Sequence, residues 1–164
     1  MALLVRTSML ALIHRGGFVE EVPGMISIDS LKRNDPHFMR LKHSFGRHSI
    51  PTGSDAHANA SANFIKSLAA HSIVCYLLQI KDRCNGNTLL DDEGHIAHVE
   101  FELSFVFSPE KNSGFEKAPF KLATDFVSLM DGLDSRLFLK FRNSCMCKFL
   151  VLRKHCCQIM LEIA

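Results

Sequence analysis

From Ala60 to Gln79, apolar residues recur at helical spacing: Phe64, Ile65, Leu68, Ala69, Ile73, Tyr76 and Leu77. The pattern ends against a polar run, Lys81 to Asn87, which contains Asn85-Gly86 and so breaks the helix. Two short arms follow. Thr88–Leu90 is one, Asp91-Asp92-Glu93-Gly94 makes the turn, and His95–Phe101 is the other. A long helix, a polar loop and a tight hairpin in immediate succession leave few ways to bury one core. The remaining segments agree with an α+β chain that is mainly helical. Residues 7–13 read as a short strand and Arg15-Gly16-Gly17 as a turn. Phe18–Val22 and Met25–Ile28 read as extended around Pro23-Gly24, and Leu31–Arg33 as a helical turn capped by Asp29 or Ser30. Residues 34–58 read as a surface loop with a short helix near Phe38–Phe45, and 102–120 as a second loop. Thr124 or Asp125 starts a helix through Met130 that Gly132 stops. Asp134 or Ser135 caps another from Arg136 to about Leu152, and an amphipathic stretch runs from Arg153 to Ile163.

Composition narrows the class. The 164 residues suit one domain with one core, and 47% hydrophobic with 22% charged residues is a globular balance. With 19 basic and 17 acidic residues, nothing calls for a nucleic-acid ligand. No apolar run reaches the ~18 residues of a membrane span. The N-terminal stretch, with Arg6, His14 and Arg15, reads as a targeting peptide or as a folded strand, and its short apolar run favours the strand. Arg40, Lys42 and Arg47 in the 34–58 loop suit either a phosphate or acidic-lipid patch or a solvated loop. Six cysteines include adjacent Cys156 and Cys157, a pattern of reduced thiols rather than a disulfide framework. Cys145, Cys147, His155 and Cys156 fit structural zinc poorly by spacing and read better as small core residues.

The chemistry-bearing run is Gln79-Ile80-Lys81-Asp82-Arg83-Cys84-Asn85-Gly86-Asn87, followed by the hairpin and Val99-Glu100-Phe101-Glu102. Phosphoryl transfer needs a carboxylate near the attacking hydroxyl and oxygen ligands for magnesium. Kinases follow a catalytic-loop Asp with a metal-binding Asn five positions on, then a hairpin leading to D-F-G. Asp82 and Asn87 keep that spacing, and Glu100-Phe101 stands where D-F would be. A charged turn before an exposed hairpin is the plainer alternative.

The run CYLLQIKDRCNGNTLLDDEGHIAHVEF, Cys75 to Phe101, resembles the catalytic segment of the phosphatidylinositol 4-kinases of the type III beta kind. That family carries Y-L-L-Q-x-K-D-R-H-N-G-N-x-L-L-D-x-E-G-H-I-x-H-I-D-F-G. The likeness continues through Ser108-Pro109, Gly114-Phe115-Glu116, Ala118 to Leu122 and Arg153-Lys154-His155, and upstream at Phe18-Val19-Glu20 and Ser27-Ile28. Only 34–58 matches poorly.

The resemblance implies the C-terminal lobe of a lipid kinase, with ATP and Mg2+ as cofactors and a phosphatidylinositol membrane surface as partner. It implies a cytoplasmic protein peripheral to intracellular membranes. Asp82 would orient or deprotonate the inositol 4-hydroxyl, within a catalytic triplet Asp82-Arg83-Cys84. Asn87 and Glu100 would hold magnesium, and Leu89 and Val99 would line the adenine floor, a role compatible with plain hairpin core. Lys81–Leu89 would be the catalytic loop, and Glu100 to Lys121 the activation loop that reads the headgroup. Three departures argue for impaired activity. Cys84 replaces the family His, Glu100-Phe101-Glu102 replaces D-F-G, and the chain begins near the expected hinge without a Gly-rich phosphate-covering loop. The alternatives are an inactive interaction module, with a protein partner on the exposed hinge face, or a degenerate gene fragment.

Overall fold

The computed structural model describes residues 10–13, 16–19, 21–34, 44–45, 48–49, 51, 53–101, 118 and 120–163. Along the chain come β1 (Leu10–Ile13), β2 (Gly16–Val19), β3 (Met25–Ser27), α1 (Ile28–Asn34), β4 (Ser44–Phe45) and β5 (His48–Ser49). Then follow α2 (Asp55–Leu78), β6 (Thr88–Asp91), β7 (Ile96–His98), α3 (Thr124–Leu129), α4 (Arg136–Lys154) and α5 (Cys156–Ile163). The class is α+β.

α2 is the spine. Ser54 caps it by accepting from the His57 amide at 3.2 Å, and Gln79 ends it in the left-handed region at φ 52°. From Ala60 to Ile73 it buries residues on nearly every side, including Ser61, Ser67, His71 and Ser72. A helix buried all round must be covered by several neighbours. One is a three-stranded antiparallel sheet in the order β3-β6-β7, with Ile26 opposite Leu90 and Leu90 opposite Ile96. α3 and α4 supply the rest through Phe126, Leu129, Met130 and Phe141. Phe64 and Phe126 meet edge to face, with ring centroids 5.6 Å apart. An ion pair between Lys32 and Asp125 ties α1 to α3.

Several expectations are corrected. Gly16 and Gly17 are strand residues paired with Ile13 and Leu12, not a turn; glycine suits both settings, so its presence alone does not place the bend. Ile28 opens a helix instead of ending a strand, and that helix runs on to Asn34. Ser44–Phe45 is a strand paired with His48–Ser49, not part of a helix; two residues separate the strands, a common hairpin spacing. Residues 38–43, the rest of that expected helix, lie outside the described residues. α2 starts at Asp55, inside the segment read as loop, because its exposed first turns lack an apolar pattern and only the Ser54 cap marks them. The Thr88–Leu90 and His95–Phe101 arms form as a hairpin, with paired strands that end at His98.

Candidate active site

The hairpin presents two faces because strand side chains alternate. Thr88, Leu90, Ile96 and His98 share one, and all are buried. That face is held to α2: Ser67 Oγ accepts from the Ile96 amide at 3.0 Å and donates to Asn63 O at 2.8 Å. His98 stacks on His71 with centroids 4.6 Å apart, and its Nδ1 lies 3.5 Å from Cys75 Sγ. The opposite face carries Leu89 and Ala97 and, at the hairpin base, Asn87 and Val99. Leu89, Asn87 and Val99 are half-buried. The Val99 amide donates to Asn87 O at 3.1 Å, so the ladder closes at the loop.

The tight turn has its own cause. Asp91 Oδ1 accepts from the Glu93 and His95 amides, and Oδ2 meets His95 Nδ1 at 2.9 Å. Gly94, at φ 87°, passes so close to α2 that a Cβ there would sit 2.3 Å from Ala60 O.

The loop before β6 is folded on itself. Asn87 Nδ2 donates to Asp82 O at 3.0 Å and to Asp82 Oδ2 at 3.2 Å. These bonds assign Oδ1 of the amide as the atom turned away from Asp82, an oxygen acceptor of the hard kind that magnesium prefers. Cys84 is half-buried, and its carbonyl accepts from the Asn87 amide at 3.2 Å and from Thr88 Oγ1 at 3.0 Å. The Asp29 amide at the start of α1 donates to Asn85 O at 3.1 Å, pinning the loop from outside.

Asp82 and Glu100 both sit at φ 57°, in the left-handed region. Such non-glycine residues cost of order 1–3 kcal/mol each and concentrate at functional sites. Arg83 is buried and donates Nε to Lys81 O at 3.0 Å, Nη1 to Val99 O at 2.8 Å and Nη2 to Glu100 O. The backbone at Glu100 therefore returns beside the Asp82–Asn87 loop, while the Glu100 residue itself is exposed. A cavity of about 10 Å³ behind Arg83, lined by Cys75, Thr88, His98 and Lys121, has room for about one water. Glu102 and most of the Glu100–Lys121 segment lie outside the described residues. At its far end, Lys81 Nζ donates to Ala118 O at 2.9 Å.

Reading for chemistry-bearing motifs missed His71 and His98. Burial is the first cause holding both largely neutral. It pulls His71 down to about 4, assisted by the Arg83 charge and partly offset by a bond to the Ile96 backbone. His98 falls to about 2, with the charges of His71 and Arg83 adding to desolvation. The available signal was spacing: His71 lies three after Leu68 and four before Cys75, within the buried stripe.

Comparison with known proteins covers most of the chain. Residues 4–162 match the family model described as phosphatidylinositol 3- and 4-kinase. A phosphatidylinositol 4-kinase of Dictyostelium discoideum is 42% identical over 148 residues, covering 90% of this chain and 12% of the relative. Phosphatidylinositol 4-kinase beta 2 of Arabidopsis thaliana is 41% identical over 98% of this chain and 14% of its own length. The Xenopus laevis phosphatidylinositol 4-kinase beta is 40% identical over 85% of this chain and 17% of its own length. The chain thus spans between 12% and 17% of the length of these relatives. It belongs to the phosphatidylinositol 3- and 4-kinase family, and what it carries is a piece of a phosphatidylinositol 4-kinase catalytic region.

Proposed function

We propose that this chain supplies the C-terminal-lobe half of a phosphatidylinositol 4-kinase site, which directs the γ-phosphate of ATP to the inositol 4-hydroxyl of a membrane lipid. The observation that carries the reading is the Asn87–Asp82 bond across the loop, with the hairpin returning Glu100 to the same loop through Arg83. Asp82 orients the lipid hydroxyl and takes up its proton. Asn87, through Oδ1, and Glu100 are the oxygen donors for Mg2+. When bound, the ion neutralises charge developing on the phosphates. Leu89 and Val99 give the half-buried apolar face on which an adenine ring can lie. Residues 100–121 meet the inositol headgroup at the membrane surface.

Two substitutions lower the rate in this proposal. A thiol at Cys84 is a weak hydrogen-bond partner where the family has an imidazole. Glu100 carries its carboxylate one methylene further than Asp, and a displacement of ~1 Å costs about 10²-fold. The test is transfer from ATP to phosphatidylinositol vesicles in Mg2+ or Mn2+ by the purified chain, alongside Asp82→Asn, Asn87→Ala and the double variant Cys84→His/Glu100→Asp. Slow transfer that Asp82→Asn abolishes and the double variant raises supports the reading. Transfer untouched by Asp82→Asn refutes it. The same two substitutions favour a second reading, a catalytically silent interaction module. Its signature is a cooperatively folded chain in which neither the native sequence nor the double variant transfers phosphate.

A further inference from the structure

Arg83 carries a full charge and is 6% exposed. Burying a charge is costly unless hydrogen bonds answer it. Its donors reach main-chain oxygens of two different segments. Lys81 O belongs to the loop, and Val99 O and Glu100 O belong to the strand exit. Its Cζ also lies 5.1 Å from the centroid of the Phe101 ring, within cation–π range.

These acceptors lie on peptides next to the two strained residues. Lys81 O sits on the peptide leading into Asp82. Val99 O and Glu100 O sit on the peptides either side of Glu100. Neither Asp82 nor Glu100 is glycine, yet both hold φ 57°. Strain of this kind persists only where surrounding structure over-determines it. Among the described residues, the rigid guanidinium group touches the backbone beside both.

We propose that Arg83 is a positioning residue: its fork clamps the peptides flanking Asp82 and Glu100, so the relative placement of the two carboxylates is set across the loops. The consequence for metal use rests on the kinase reading; the clamp itself does not. Lysine keeps the charge but presents a single nitrogen without a planar fork. Arg83→Lys therefore separates clamping from mere positive charge.

Amide hydrogen exchange on the full chain reads the clamp directly. In Arg83→Lys, exchange at Asn87 and Val99, whose amides bond Cys84 O and Asn87 O where the loop meets the strand exit, should accelerate about tenfold or more, the scale of losing one charge-assisted bond. The amides of Leu90 and Ile96 in the sheet, and those of α2 around Leu68, should be unchanged. Phe101→Leu removes the ring but leaves the fork, and should give a smaller acceleration confined to the same amides; it serves if Arg83→Lys does not fold. Native exchange at Asn87 and Val99 in Arg83→Lys overturns the clamp, as does acceleration spread evenly over the chain. With Phe101→Leu as the substitute, no change at Asn87 and Val99, or an even spread, overturns it equally. In the transfer assay the clamp predicts a raised half-saturating Mg2+ in Arg83→Lys with an unchanged KM for lipid, and the opposite pattern counts against it. If the native chain transfers nothing while the local exchange pattern holds, the kinase reading falls and the clamp stands.

Discussion

Acid should unfold this protein through two histidines at the back of the candidate site. His71 is 1% exposed and His98 6% exposed. Their folded-state values of about 4 and about 2 lie below the ordinary 6.5. The unfolded chain binds protons first as pH falls, so stability is full above about 6.5 and declines towards the folded values. Between pH 6.5 and 5, each histidine loses about 1.4 kcal/mol per pH unit, or about 2 kcal/mol. Together they remove about 4 kcal/mol, a large part of the ~5–15 kcal/mol that holds a domain. Urea midpoints at pH 7.5, 6.5, 5.5 and 5 measure this. His71→Met keeps the site apolar, removes one titration and should halve the slope. A midpoint flat from pH 7.5 to 5, or a slope unchanged by His71→Met, refutes the assignment.

Three other perturbations test the architecture. Gly94→Ala should lower stability by about 2 kcal/mol or more, seen as a drop in Tm, because the residue sits at φ 87° and its Cβ would meet Ala60 O at 2.3 Å. Ser67→Ala should cost about 1–3 kcal/mol in denaturant titration, since the buried Ile96 amide loses its acceptor. Asn87→Leu should leave Tm within a few degrees of native yet abolish metal-dependent transfer, because among the described residues the half-buried side-chain amide bonds only locally to Asp82. A normal rate in that variant would remove Asn87 from the site.

Much of this was legible along the chain. The helix end before Lys81, the hairpin after Asn87 and the Ser135 cap of α4 follow from local chemistry: turn residues, alternation and a hydroxyl that accepts from the Phe138 amide at 2.9 Å. The first turns of α2 were not legible, because residues 55–59 carry no apolar periodicity. Nor was the burial of Ser67, which depends on the hairpin packing against α2.

The amino-acid order by itself determined the kinase-like spacing of Asp82, Asn87 and Glu100 and the family to which they belong, since spacing and motif are properties of the linear chain. Only the tertiary structure decided what holds those residues in place. Arg83 finds Val99 O and Glu100 O, 16 and 17 residues away, and His71 finds His98 across 27 positions from α2 to β7. Such contacts have no local signature. They arise when packing removes water and leaves each buried polar group to take the partner that folding brings within reach.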